Sequence, residues 1–148
     1  MLSDIIAAIK TIMLGVSGVE IVHEYQRFAA DWTKFLSLFK DSSDRINGWM
    51  ITRESTPEDR DTYPTLRRQH RFVIRGFYGL NDAEASETTF QTLVERIQTA
   101  FDVDPVLGGT VINSEPLQVD KVDARVFGSV LCHYAELSIA AHERVFCS

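Results

Sequence analysis

In NDAEASETTFQTLVERIQTAFDVDPVLGGTVINSEPLQVDKVDARVFGSVLCHYAELSIAA, residues 81–141, the spacing of the apolar residues changes from a helical period to a strand period, which points to an α+β fold. Phe90, Leu93, Val94, Ile97 and Phe101 recur at helical spacing and predict one apolar stripe on a long helix. Asn81 and Glu84 stand at the spacing of a capping box, and Asp104-Pro105 stops the helix. Leu107-Gly108-Gly109-Thr110 reads as a turn. Residues 111–119 then read as a strand interrupted at Pro116, 120–125 as a polar connector, and 127–141 as a final strand. In that strand Leu131, Ala135, Leu137, Ile139 and Ala141 fall on one face, with Cys132, Tyr134, Glu136 and Ser138 on the other. This is the alternation of a half-buried antiparallel sheet. The stretch holds no nucleophile with a partner, no metal cluster and no phosphate cradle. Such a unit points to a protein that works through its surface.

The N-terminal half supplies the rest of the layout. Leu2, Ile5, Ile6, Ile9, Ile12 and Met13 predict an amphipathic helix, closed by Gly15 and Gly18. Residues 19–25 alternate as a first strand. Trp32, Phe35, Leu36 and Phe39 lie at i, i+3, i+4 and i+7 of a short second helix begun at Asp31. Residues 46–54 and 69–78 read as strands. The second carries apolar residues on both faces, Phe72 and Ile74 against Val73 and Phe77, as a strand covered on both sides would. Between them, 55–68 has two prolines, mixed charge and no period, and reads as a long exposed loop. The expected fold is α+β: one domain over 1–148, a mainly antiparallel sheet of four to five strands flanked by helices, in the order α-β-α-β-β-α-β-β, with the exposed loop at 55–68.

The totals narrow the function classes. A chain of 148 residues can bury a core without staples. There is no apolar run long enough to span a membrane. Asp4 and Lys10 do not fit a signal peptide, so a cytosolic product is expected. Cys132 and Cys147 are too few for a disulfide framework or an unaided zinc site. A net charge of −6 argues against a nucleic-acid-binding surface as the main function. It suits a soluble protein, or a lumen through which DNA passes without sticking.

Few constellations carry chemistry. Cys132 and His133 adjoin, but neighbours on a strand point to opposite faces and cannot form a dyad. His23, His70, His133 and His142 have no metal-ligand spacing. Gly15-Val16-Ser17-Gly18 lacks the Lys-Ser/Thr ending of a phosphate loop. Asp102 and Asp104 close a helix, although a carboxylate there opposes the helix dipole, a cost the sequence leaves unexplained. No cofactor, metal or catalytic residue is assigned. The candidate subunit or partner interface comprises Glu58, Asp59, Arg60, Asp61 and Tyr63 in the 55–68 segment, with Arg67, Arg68, Arg71 and Arg75, the one basic concentration.

These pieces fall into a recognisable order. An Ile-rich N-terminal helix leads into Gly15-Val16-Ser17-Gly18-Val19 and Glu20-Ile21-Val22-His23-Glu24-Tyr25-Gln26-Arg27. Asp31-Trp32 and Phe35-Leu36-Ser37-Leu38-Phe39 follow. Then come Ile46-Asn47-Gly48-Trp49-Met50-Ile51-Thr52-Arg53, Phe72-Val73-Ile74-Arg75-Gly76-Phe77, and a late helix before Leu107-Gly108-Gly109-Thr110-Val111 and a long last strand. Across most of its length the chain resembles the tail terminator (tail completion) proteins of long-tailed bacteriophages, prophages and gene transfer agents. The resemblance is one of layout, and no single motif carries it. It implies an α+β fold and a virion structural protein without catalytic residues. It implies assembly as a ring, typically hexameric, capping the head-proximal end of the tail tube. The implied partners are further copies of the chain, the tail tube protein and a head-completion or neck protein, with DNA only as passing cargo. The implied location is the host cytoplasm during assembly and then the virion tail. Two alternatives stay open: another head–tail connector or neck protein, and a small α+β enzyme or ligand-binding domain using the Tyr134/Glu136 face.

Overall fold

Two long strands form the spine of the structure, a computed structural model that describes residues 1–60 and 62–147. They are β4 (Thr65–Gly79) and β7 (Val130–Phe146), paired antiparallel from Thr65↔Phe146 to Gly79↔Cys132 without a register break. β2 (Asn47–Ser55) pairs antiparallel with β4, and β1 (Ile21–His23) lies parallel to β2 at the edge. β3 (Glu58–Arg60) continues the line of β2 along β4. β5 (Asn113–Ser114) and β6 (Gln118–Phe127) together flank β7. The fold is therefore α+β, one mostly antiparallel sheet with helices, as the sequence predicts. Among the described residues it has seven strands rather than four or five.

The three additional or displaced strands have physical causes. The 55–68 segment is no loop: β3 and the start of β4 form a hairpin arm with Glu58 opposite Arg68 and Asp59 opposite Arg67. Oppositely charged cross-strand pairs favour this register. Both faces of the arm are polar, so no apolar alternation marks it. The register shift between Arg53 and Ser55 and the proline at 57 separate it from β2. The 111–119 strand shrinks to β5 because Pro116 interrupts it. The polar connector at 120–125 instead lies inside β6, a charged outer strand of the kind that resists edge-to-edge pairing. Gly128, at φ 64, makes the turn into β7.

Helices cover the two faces of the sheet unequally. α1 (Leu2–Leu14) and α3 (Ser86–Asp102) lie on one face. There Ile5, Ile9, Met13, Phe90, Leu93, Val94, Ile97 and Phe101 pack with Trp49, Ile51, Phe72, Ile74, Leu137 and Ile139. The stripe predicted for α3 is buried in full. Among the described residues the other face carries one helix, α2 (Trp32–Ser37), whose Leu36 packs with Phe39, Met50, Phe77, Phe127, Cys132 and Tyr134. The Asp31 carboxylate caps α2 by accepting the Lys34 N–H at 2.8 Å. Leu131, expected in the core, is 45% exposed, because it stands beyond the start of α3 at the end of the sheet. The capping box also fails. A 3-10 turn at Asp82–Glu84 precedes α3, and the Asn81 N–H donates to Ser86 Oγ at 2.8 Å.

Two glycines let the layers close. Trp49 is fully buried and lies across Gly76, its partner in the ladder. A Cβ at Gly76 would overlap the indole. Gly48 admits Phe39 from the other face, where a Cβ would meet the Phe39 Cβ at 2.8 Å.

Candidate assembly surface

The unequal covering leaves half of one sheet face open. β4 residues of odd number share the face of Phe77, which packs under α2. Further along the strand, beyond the reach of α2, that face presents Val73, Arg71, Gln69 and Arg67. β7 adds Glu136, Ser138 and Ala140 beside them. Two shallow hollows open to solvent cross this region. One, of 470 Å³, is lined by residues including Glu54, Gln69, Arg71, Glu115 and Gln118. The other, of 380 Å³, is lined by residues including Thr52, Val73, Arg75, Asp120 and Glu136. Gln69 Nε2 donates to Glu115 Oε2 at 2.9 Å across the first. The lining mixes both charge signs and converges on no single point, so it offers a docking face rather than an enclosed reaction site.

The sequence-derived interface residues separate into two groups. Glu58 and Arg68 pair with each other across the arm at 2.7 Å, and this hydrogen bond raises the Arg68 guanidinium above its ordinary value. Asp59 stands opposite Arg67, and Arg60 opposite Leu66. Tyr63 is 74% exposed at the tip of the arm. Asp61 lies outside the described residues. Arg67, Arg71 and Arg75 form the second group, one line on the open face. Arg68 points to the opposite face, because only alternate residues of a strand share a side. Among the described residues no carboxylate lies within 4.0 Å of Arg67, Arg71 or Arg75.

Histidine contacts escaped the sequence reading. His70 is buried between Thr56 and Glu143: Nε2–H donates to Glu143 Oε1 at 2.9 Å, and Nδ1 accepts from the Thr56 hydroxyl at 3.1 Å. An ionised carboxylate can only accept, which fixes the proton on Nε2. The Met1 amino group reaches Glu143 Oε2 at 3.1 Å. Burial alone would raise the Glu143 carboxyl. Hydrogen bonds from His70 and Met1 outweigh it and hold the group below its ordinary 4.5. A carboxyl held low in the fold stabilises above its unfolded value, and that contribution disappears as pH falls through the folded value. Stability is therefore expected to decline on acidification below about pH 4.5, and Glu143→Gln to remove that component of the decline. Urea unfolding midpoints between about pH 7 and about pH 3 measure both.

His133 meets Ser86, not Cys132. Ser86 Oγ and His133 Nε2 share a hydrogen bond of 2.8 Å, and the same oxygen accepts the Asn81 N–H. Both side chains are nearly enclosed, at 5% and 6% exposure, and the His133 ring stacks on Phe90. With its hydroxyl engaged on both sides, Ser86 secures the start of α3 to β7. The only signal for the contact was the parity that puts His133 on the α3 face. Cys132 faces away into the second core, where burial pushes its thiol up to about 11 and keeps it protonated. Tyr134 is pushed up to about 12, by burial first and then by Glu136, and carries the Arg125 guanidinium 4.4 Å over its ring.

Among the described residues no three His, Cys, Asp or Glu side chains converge as a metal set. Nor, among them, is any helix long and apolar enough to cross a membrane. No protein-family model matches the chain, and no curated protein matches it in sequence.

Proposed function

We propose that this chain is a structural virion protein of the tail-terminator type, forming a ring that caps the head-proximal end of a tail tube. The ring stops tube growth and presents the surface to which the head attaches. In this reading the chain has no catalytic role, and its partners are further copies of itself, the tail tube protein and a head-completion or neck protein. DNA crosses the ring as cargo.

The observation that supports this best is the half-open sheet face, a polar surface without an enclosed cavity, beside a hairpin arm that projects mixed charge. A subunit needs such surface to contact neighbours on two sides, and head-to-tail contacts that close on rotation give rings. The layout resemblance specifies which ring. Deleting the gene from its phage or prophage tests the reading. Tails longer than wild type are expected, visible by electron microscopy of lysates. Tails of normal length that fail to join heads would instead mean a neck protein, and intact virions would mean neither.

A further inference from the structure

We propose that the subunits of this ring meet through an electrostatic seam, with the arginine line on the open sheet face of one copy lying against the acidic flank of α3 on the next. The proposal rests on the ring reading and names the surfaces that would build it.

The chain is charge-polarised between two stretches of its sequence. Residues 45–78 carry seven arginines against Glu54, Glu58, Asp59 and Asp61. Residues 82–104 carry six carboxylates against one base, Arg96. On α3 the buried residues Phe90, Leu93, Val94, Ile97 and Phe101 define the inner side. Glu87, Gln91, Glu95, Gln98 and Asp102 follow at i, i+4, i+8, i+11 and i+15 along one flank. That flank borders β6: Gln98 Nε2 donates to the Leu117 carbonyl at 3.1 Å, and Val119 lines the hollow beside Glu87, Gln91 and Glu95. α3 and the arginine line are thus on opposite sides of the sheet, as the two halves of a front-to-back contact must be.

Three observations make the surfaces a match rather than two solvated faces. The first is spacing. Arg67, Arg71 and Arg75 recur every ~13 Å along β4. Glu87 to Glu95 spans ~12 Å and Glu95 to Asp102 ~10.5 Å along α3. Flexible arginine side chains absorb a difference of that size. The second is the lack of closed ion pairs, although Asp59 stands opposite Arg67 and Glu136 opposite Arg75 in the ladder. Among the described residues none of these six charges has an oppositely charged group within 4.0 Å. The third is Asp102. Its neighbour Asp104 accepts the Gly108 N–H at 3.0 Å and so has a local task. Asp102 has none, and it stands at the helix end where the dipole disfavours a carboxylate. A cation from a neighbouring copy would explain its presence there.

A second copy is the occupant because one chain carries both complementary surfaces, and a heterologous contact of this kind repeats around a ring. Charge reversal provides the test, with assembly read by sedimentation velocity and electron microscopy and folding checked by circular dichroism. Arg71→Glu/Arg75→Glu and Glu95→Lys/Asp102→Lys are each expected to raise the half-assembly concentration about tenfold or more. Raising salt is expected to weaken wild-type assembly in the same direction. Mixing the two double variants is expected to restore rings of even number in which they alternate, because each then meets its complement on both sides. Should either variant lose its fold, Arg71→Gln and Glu95→Gln repeat the comparison without reversal. Wild-type rings unaffected by both variants overturn the seam and leave the ring reading standing. Loss of assembly with the arginine variant alone also overturns it, since the arginines then meet a surface of the next copy other than the α3 flank. A wild-type chain that stays monomeric at low salt and high concentration overturns it as well. Assembly through the seam, with normal tail length after gene deletion, keeps the seam and sinks the terminator reading.

Discussion

Gly76→Ala is expected to destabilise the chain by about 3 kcal/mol, measured as a fall in the urea midpoint at unchanged slope. Trp49 is fully buried and crosses the ladder directly onto Gly76, with Phe90 of α3 stacked on its far side at 6.0 Å. The indole is held between a backbone and a ring, so a new methyl leaves it no free rotamer. It must push α3 away from the sheet or leave the core. Against a total of about 5–15 kcal/mol, the loss would leave a small reserve. Gly76→Ala combined with Trp49→Leu should recover part of it, because the smaller side chain vacates the overlap. A single variant as stable as wild type would mean that the Trp49–Gly76 contact is not what sets the spacing of this layer.

The second large effect is on the other face. Phe77→Ala is expected to cost about 3–5 kcal/mol. Its ring meets Phe39 at 4.7 Å, Phe127 and Tyr134 at 5.4 Å each, and Phe35 at 5.5 Å. That cluster attaches α2, and a helix of six residues has no stability of its own. The segment Trp32–Ser37 should therefore lose hydrogen-exchange protection before the α1/α3 layer does. Uniform loss across the chain would contradict the division into two cores. His23 would limit the damage. Its Nε2–H donates to the Leu38 carbonyl at 2.8 Å and Nδ1 accepts from Arg27 at 3.0 Å, which ties the chain at both ends of α2.

Both contacts belong to the part of the fold that was legible in the sequence. The stripe from Phe90 to Phe101 has a helical period, and the apolar residues on both sides of β4 announced cover on both faces. Of the two strands that were not legible, β3 carries only charged residues, so period-2 hydrophobicity had nothing to report there, and its pairing with β4 is set by hydrogen bonds and opposite charges. β6 does alternate, Val122, Ala124 and Val126 against Lys121, Asp123 and Arg125, but the charged residues made 120–125 read as a connector although Val122 packs on the core. Much the same divides the candidate surface. Arg71 and Arg75, named as part of a basic concentration, share a face by strand parity. Arg68, grouped with Arg67 by adjacency, turns to the other face for that same reason. The flank Glu87–Glu95–Asp102 reads in sequence as ordinary solvated helix surface. It gains meaning only when the open face of the sheet is seen opposite it.

Electron microscopy of the purified protein at low salt, alone and with tail tubes, decides whether the chain builds a ring that caps the tube. Closed rings are expected, with one ring seated at a single end of each tube. Dispersed monomers that leave both tube ends bare would contradict the ring reading.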